Sequence, residues 1–216
     1  MTTTTAPTTA VHPQQGRLDA VRELAATDPS SARDAVWDWL TSLDAVKDGA
    51  ELAWLFAQGT APASPDGDTE GAVLGLMGTP FLGFVDRLVR VGQALGGIGW
   101  TGKSFDADAG TGFNRLTWTS RLPMLSVMPT YRFRRRGGEL LGFDFDHRLE
   151  TSPVAPYGEV RSIHYDRPEY GNPLMLPNTR DELVELVPGA LLGRGLLRDG
   201  QAWKVVAFFV LREPAR

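Results

Sequence analysis

The chain has 216 residues, 42% of them hydrophobic and 22% charged, and a formal net charge of −4. That length and apolar fraction support one substantial domain with a real core, and the acidic balance argues against a nucleic-acid partner. The sequence contains no cysteine, which excludes disulfides, thiolate catalysis, zinc ribbons and iron–sulfur clusters, and no apolar run reaches transmembrane length.

Residues 1–15 are rich in Thr, Ala and Pro and lack both a charged n-region and an apolar h-region. They read as a disordered tail of a cytoplasmic protein rather than a secretory signal. Three lysines against nineteen arginines, with an Ala, Gly and Asp bias, point to a GC-rich bacterial genome. Residues 16–69 read as a helical extension. Leu18, Val21, Leu24 and Ala25 form one stripe, and Val36, Trp37, Leu40 and Leu43 form another behind a cap at Ser30 or Ser31. Leu52, Leu55 and Phe56 suit a third helix, and Pro62, Pro65 and Gly67 mark a loop and an internal boundary.

Residues 70–216 read as a β-barrel domain. A first strand over 71–77 precedes a helix opened by Pro80, with Phe81, Phe84, Leu88 and Leu95 on one face and Gly96-Gly97 at its end. Strands follow at about 98–105, 112–119, 128–135, 139–149, 158–166, 181–187, 189–198 and 201–212, with Gly137-Gly138 and Asp199-Gly200 as hairpin turns. Short strands joined by tight turns favour a meander that closes on itself. The fold class is therefore mainly β (α+β), an antiparallel up-and-down barrel with N-terminal helices packed on it. The last strand is apolar on both faces from Val205 to Val210, so one face points into the barrel. Helices carrying Trp37, Trp39 and Trp54 are expected to cover the other.

Among groups with chemistry, His147 stands on the apolar side of a strand with Leu141, Phe143, Phe145 and Leu149, opposite Asp144 and Asp146. A hydrogen-bonded core histidine is the plainer reading, and a general base in an apolar pocket is the functional one. His12 falls in the tail. His164 should face away from Ile163 and Tyr165 by strand alternation. No two histidines have metal-ligand spacing, and no metal or other cofactor is expected. Asp144 and Asp146 read as a solvated outer face, and Asp181-Glu182 as polar residues at a strand start. Arg132, Arg134, Arg135 and Arg136 read as a charged hairpin edge that resists strand pairing. Gly97 to Ser104 matches the Walker A pattern formally. A P-loop, however, follows a strand and opens a helix, whereas this segment follows a helix and enters a strand. Alternation puts Trp100 and Lys103 on opposite faces unless Gly102 forms a bulge; an inward Lys103 would hold a carboxylate ligand.

Gly99-Trp100-Thr101-Gly102-Lys103-Ser104-Phe105 resembles the Trp-centred signatures of GXWXG-type and nitrobindin-like or lipocalin-like bacterial proteins. Residues 70–212 are also similar to an uncharacterised actinobacterial family, through Gly112-Phe113-Asn114-Arg115-Leu116, Tyr165-Asp166 with Pro168, Asn172-Pro173, and Asp181-Glu182-Leu183-Val184 leading to Pro188-Gly189. The resemblance implies a calycin-like barrel and an apolar ligand. It does not imply haem, because nitrobindin-like haem proteins use a late axial histidine and none follows His164. The resemblance implies an acidic residue before the Tyr165-Asp166 pair, where this chain has His164.

The expected function is binding of a hydrophobic small molecule of the fatty acid, polyketide or terpenoid type inside the barrel. Trp100, Lys103, Asn114, Trp118, Tyr131, Phe143 and Phe145 are the expected ligand-binding residues. The alternative is a cofactor-independent cyclase, isomerase or dehydratase of secondary metabolism, with His147 as acid or base and Tyr165 or Arg121 stabilising an oxyanion. A third reading takes the Trp-rich helices as a partner interface. Composition fixes neither the ligand nor the oligomeric state.

Overall fold

A computed structural model describes residues 12–77, 99–122, 124, 128–173 and 176–214. The helix expected from Pro80 to Leu95, and most of the expected tail, lie outside the described residues. Three α-helices come first among them: α1 (Gln15–Thr27), α2 (Pro29–Thr41) and α3 (Gly49–Gln58). The cap of α2 is Asp28, two residues before the expected Ser30, with its carboxylate accepting from the Ser31 N–H at 3.0 Å. Pro29 then suits the first helical position, where no N–H is needed.

Ten strands follow: β1 (Gly67–Asp68), β2 (Glu70–Leu76), β3 (Trp100–Asp106), β4 (Thr111–Thr117), β5 (Arg134–Arg136), β6 (Glu139–Thr151), β7 (Glu159–His164), β8 (Thr179–Val187), β9 (Ala190–Asp199) and β10 (Ala202–Arg212). Their order is β1-β3-β4-β6-β7-β8-β9-β10-β2, antiparallel at every pairing, with β5 attached to β6. Only Thr69 separates β1, which pairs with β3, from β2, which pairs with β10. One bent stave thus joins the two ends of a nearly closed nine-strand barrel. The Thr69 N–H and hydroxyl both donate to the Lys103 carbonyl at 2.8 Å, which pins the corner.

The strand expected over 128–135 is the main correction to the β pattern. Only Arg134–Arg136 is extended there, because Met128 and Tyr131 turn inward to pack with Leu116, Met124 and Leu140. A second correction is a bulge in β6. Asn114 pairs with Gly142 but Gly112 pairs with Phe145, so β6 carries one extra residue. Phe143 takes it up with a left-handed φ of 55°. Leu140, rather than Leu141, therefore shares the interior face with Phe145.

The barrel interior holds Phe105, Phe145, Ile163, Tyr165, Leu183, Leu191, Phe209 and Leu211. Outside, Val184, Leu192, Phe208 and Val210 form one core with Leu18, Val36, Trp39, Leu40 and Phe56 of the helices. Trp39 is fully buried there, while Trp37 and Trp54 pack at its margin. The outer face also carries a buried ionic network that alternation alone did not single out. Glu182, 0% exposed, binds Arg194 at 2.9 Å and Arg180 at 3.1 Å, and Arg194 lies over the Phe56 ring of α3. No helix among the described residues is long and apolar enough to cross a membrane.

Candidate functional site

β3 does contain a bulge. Trp100 pairs with Leu116 and Gly102 with Arg115, so Thr101 is the extra residue. Gly102 has φ of 137°, a conformation L side chains rarely adopt, and a Cβ there would collide with the Thr69 carbonyl. The bulge brings Trp100 and Lys103 to the same, inner face, as does their shared partner Asn114.

Lys103 is 2% exposed. Its ammonium donates to Asn114 Oδ1 at 2.9 Å and Tyr165 OH at 2.6 Å, and meets Asp181 Oδ2 at 2.9 Å. These three partners use all three of its donors. The rings of Trp100, Phe145, Tyr165 and Phe209 surround it at 5.2–5.7 Å, within the range of cation–π attraction. Asn114 Oδ1 also accepts from the Trp100 indole at 3.0 Å, and its amide donates to the Phe143 carbonyl at 3.0 Å. Tyr165 donates to Asp181 Oδ2 at 2.7 Å. Burial pushes the Lys103 pKa down, opposed by the Asp181 charge. Burial, then the same charge, pushes the Tyr165 hydroxyl well above its usual range.

Four strands or strand ends thus assemble a Lys–Asp–Tyr–Asn quartet of balanced charge in an aromatic cage. The unused valence of the quartet is Asp181 Oδ1, which has no hydrogen-bond partner among the described residues. Gly195 lies beside it, with the small Ala207 next to Gly195. Asp181 is the member of this candidate site that sequence reasoning missed. Read as a polar strand start, it in fact faces inward opposite Ile163, and the inward Tyr165 beside Ile163 was the available signal.

Of the other expected site residues, Phe145 and Phe143 pack in or against the interior cluster. Tyr131 stacks on Phe143 at 5.1 Å, and its hydroxyl accepts from the Phe143 N–H at 2.5 Å. Tyr131 also lines a cleft of about 540 Å³ with Met128, Arg132, Asp144, Tyr170 and Pro173. Trp118 does not line the interior. It is 38% exposed on a 3-10 turn after β4, under Arg121 and Arg135. Arg121 stays with it and does not join His147 or Tyr165.

His147 is buried on the inner face, with Nε2 3.3 Å from the Asp106 carbonyl and Nδ1 3.5 Å from Arg161. Burial lowers its pKa. Phe145 stands between it and Tyr165, at ring distances of 6.4 and 5.8 Å. His164 points to the outer face and meets Glu150 at 3.1 Å. His12 is not loose: its ring stacks on Trp54 at 3.8 Å. Asp146 is buried rather than solvated, bound by Arg167 and by the Tyr170 hydroxyl. The arginine edge is neutralised, Arg134 by Asp144 and Arg136 by Asp68. No cluster of three His, Asp or Glu suited to a metal ion occurs among the described residues.

No protein-family model, curated protein or solved structure matches this chain.

Proposed function

We propose that the calycin-like barrel binds a hydrophobic small molecule whose polar head engages the Lys103 quartet. The observation that carries this reading is an ammonium held at the centre of an aromatic interior. Burying two charges costs several kcal/mol per ion, and a hydrophobic pair of similar volume is often as stable or more so. Structure alone gives little reason to keep such a group. Because Asp181 already balances Lys103, a second anion is disfavoured. A neutral hydroxyl donating to Asp181 Oδ1 fits, which favours a hydroxylated polyketide or terpenoid over a free fatty acid. Trp100, Phe143, Phe145 and Phe209 supply apolar walls. The cleft at Tyr131 is the way in, with Phe143 as the gate between cleft and quartet. Its left-handed backbone is the kind of strain that concentrates at ligand sites.

The alternative is a cofactor-independent isomerase or dehydratase. What favours it is the lowered pKa of Lys103 in contact with both Tyr165 and Asp181, an arrangement able to move a proton. On that reading Lys103 takes the acid–base role expected of His147.

Native mass spectrometry and organic extraction of protein purified from its own host test the binding reading. A stoichiometric neutral, apolar, hydroxylated molecule should be recovered. It should rebind to the wild type and at least tenfold more weakly to Lys103→Met. A ligand-free mass, together with no rebinding of any extracted molecule, refutes it. Conversion of the molecule by the wild type but not by Lys103→Met would select the catalytic alternative.

A further inference from the structure

A second polar feature lies inside the barrel, two interior layers along β7 from Tyr165. Tyr165, Ile163 and Arg161 alternate inward, so Arg161 stands roughly 13 Å from the Tyr165 layer at ~3.3 Å per residue. Arg161 is 7% exposed, and it differs from every other buried cation among the described residues. Lys103 has Asp181, Arg180 has Glu150 and Glu182, and Arg194 has Glu182. Arg161 has no carboxylate within ion-pair distance among the described residues. Its Nε donates to the Pro62 carbonyl at 3.1 Å, and its Nη1 meets His147 Nδ1 at 3.5 Å. A guanidinium has five N–H groups, so most of this fork is unused. Among the described residues the Nη2 end has no hydrogen-bond partner, and it is not sealed in the core. Leu149 and Leu183, its cross-strand neighbours, are apolar.

His147 completes the geometry. With Nε2–H directed at the Asp106 carbonyl, Nδ1 is left as an acceptor for Arg161, so the neutral imidazole holds one edge of the guanidinium and leaves the other free. The groups facing this pair are two carbonyls, the Phe105 and Phe145 rings on the His147 side and aliphatic walls on the Arg161 side; the acidic side chains acting on it are Glu159 on Arg161 and Asp106 on His147, neither within ion-pair distance of the guanidinium. Uncompensated positive charge in an apolar setting is costly unless an anion joins it.

We propose that Arg161 and His147 form an anion site at this end of the barrel, which takes a small carboxylate on the free edge of the guanidinium. A planar carboxylate matches the guanidinium fork in two parallel hydrogen bonds. The proposal is independent of the ligand at Lys103, since the two sites share no residue.

The test is a titration of the full chain with sodium acetate against sodium chloride at matched ionic strength. It follows the imidazole signals of His147 by NMR together with Tm. Acetate should move the His147 signals saturably and raise Tm, while chloride should do neither. Arg161→Gln should abolish the saturable shift, and Arg161→Lys, which keeps the charge but loses the fork, should weaken it about tenfold. Equal responses to acetate and chloride, an unchanged acetate response in a folded Arg161→Gln, or no saturable shift in the wild type would each overturn the proposal. If Arg161→Gln does not fold, the comparison of Arg161→Lys with wild type decides it, with equal acetate affinity counting against the site.

Discussion

Asp181→Asn isolates the electrostatics of the buried quartet. The substitution keeps size and one acceptor oxygen for Lys103 and Tyr165, exchanges the other oxygen for an amide donor, and removes the charge facing Lys103. At 2.9 Å the pair attracts by about 6 kcal/mol at an effective dielectric of about 20, which offsets the several kcal/mol that each ion loses in desolvation. Without Asp181 the ammonium keeps its desolvation cost and loses its attraction, and breaking such a pair costs about 3–5 kcal/mol. The protein has one escape, which is to release the proton. From an ordinary pKa of 10.5, neutralising a lysine at pH 7 costs about 1.36 × 3.5, or about 5 kcal/mol. That figure is the ceiling on the damage at pH 7. It falls to about 2 kcal/mol at pH 9.

The pH dependence has a definite sign. Burial lowers the folded pKa of Lys103 below 10.5, so between the two values the unfolded chain binds more protons and stability rises with pH. The variant should therefore lose about 3–5 kcal/mol at pH 7 and recover most of that loss by pH 9. Lys103→Met should cost less, about 1–2 kcal/mol, because Asp181 keeps the Tyr165 hydroxyl and some solvent contact. The double variant should lie nearer the wild type than Asp181→Asn does. Urea unfolding followed by tryptophan fluorescence measures all four proteins. If Asp181→Asn is within 1 kcal/mol of wild type at pH 7, or equally unstable at pH 7 and pH 9, the reasoning fails.

Further outcomes follow from the same geometry. Gly102→Ala combines a strained φ with a collision at the Thr69 carbonyl and should cost about 2–4 kcal/mol in urea unfolding, whereas Gly137→Ala, at an open turn, should cost less. Glu182→Gln leaves Arg194 and Arg180 short of a buried counter-charge and should lose about 3–5 kcal/mol, measured the same way. His147 and His164 both have pKa values lowered below 6.5, chiefly by burial. Their folded states bind fewer protons, so stability falls as pH drops below 6.5 and levels off below the folded values. Tm measured from pH 7 to pH 4 should show part of that fall removed in His147→Asn. Asp28, held at about 2 by the Ser31 and Ser30 contacts, should titrate there by NMR, and Asp28→Ala should fray α2.

The barrel was legible because its signals are local. Gly-Gly and Asp-Gly turns, period-two alternation and a final strand apolar on both faces do not depend on distant residues. Where the reading failed, the cause was packing between distant parts. Met128 and Tyr131 have strand-like neighbours, but they turn inward because the barrel end between Leu116 and Leu140 has to be filled. Asp146 looks solvated on its own strand, and only the loop carrying Arg167 and Tyr170 buries it.

The candidate site shows the same limit more sharply, because its two bulges invert the face of everything beyond them. A single extra residue at Thr101 decides whether Lys103 meets solvent or Asp181. Glycine at 102 is the one sequence clue to it, since no other residue fits that φ beside the Thr69 carbonyl. The bulge at Phe143 leaves no such clue, because a phenylalanine at positive φ is disfavoured locally. What stabilises it comes from two other segments, with Asn114 of β4 donating to its carbonyl, and Tyr131 both accepting from its N–H and stacking on its ring. The residue proposed as the gate is therefore the one whose conformation only the assembled barrel specifies. Phe143→Gly provides the test: it relieves the backbone strain but removes the stacked ring. If Phe143 is the gate, the variant should release an extracted ligand faster than wild type by roughly tenfold or more, a loss of ~1.4 kcal/mol of barrier, with Lys103 still buried. An unchanged release rate in the folded variant would mean that ligand reaches the quartet by another route.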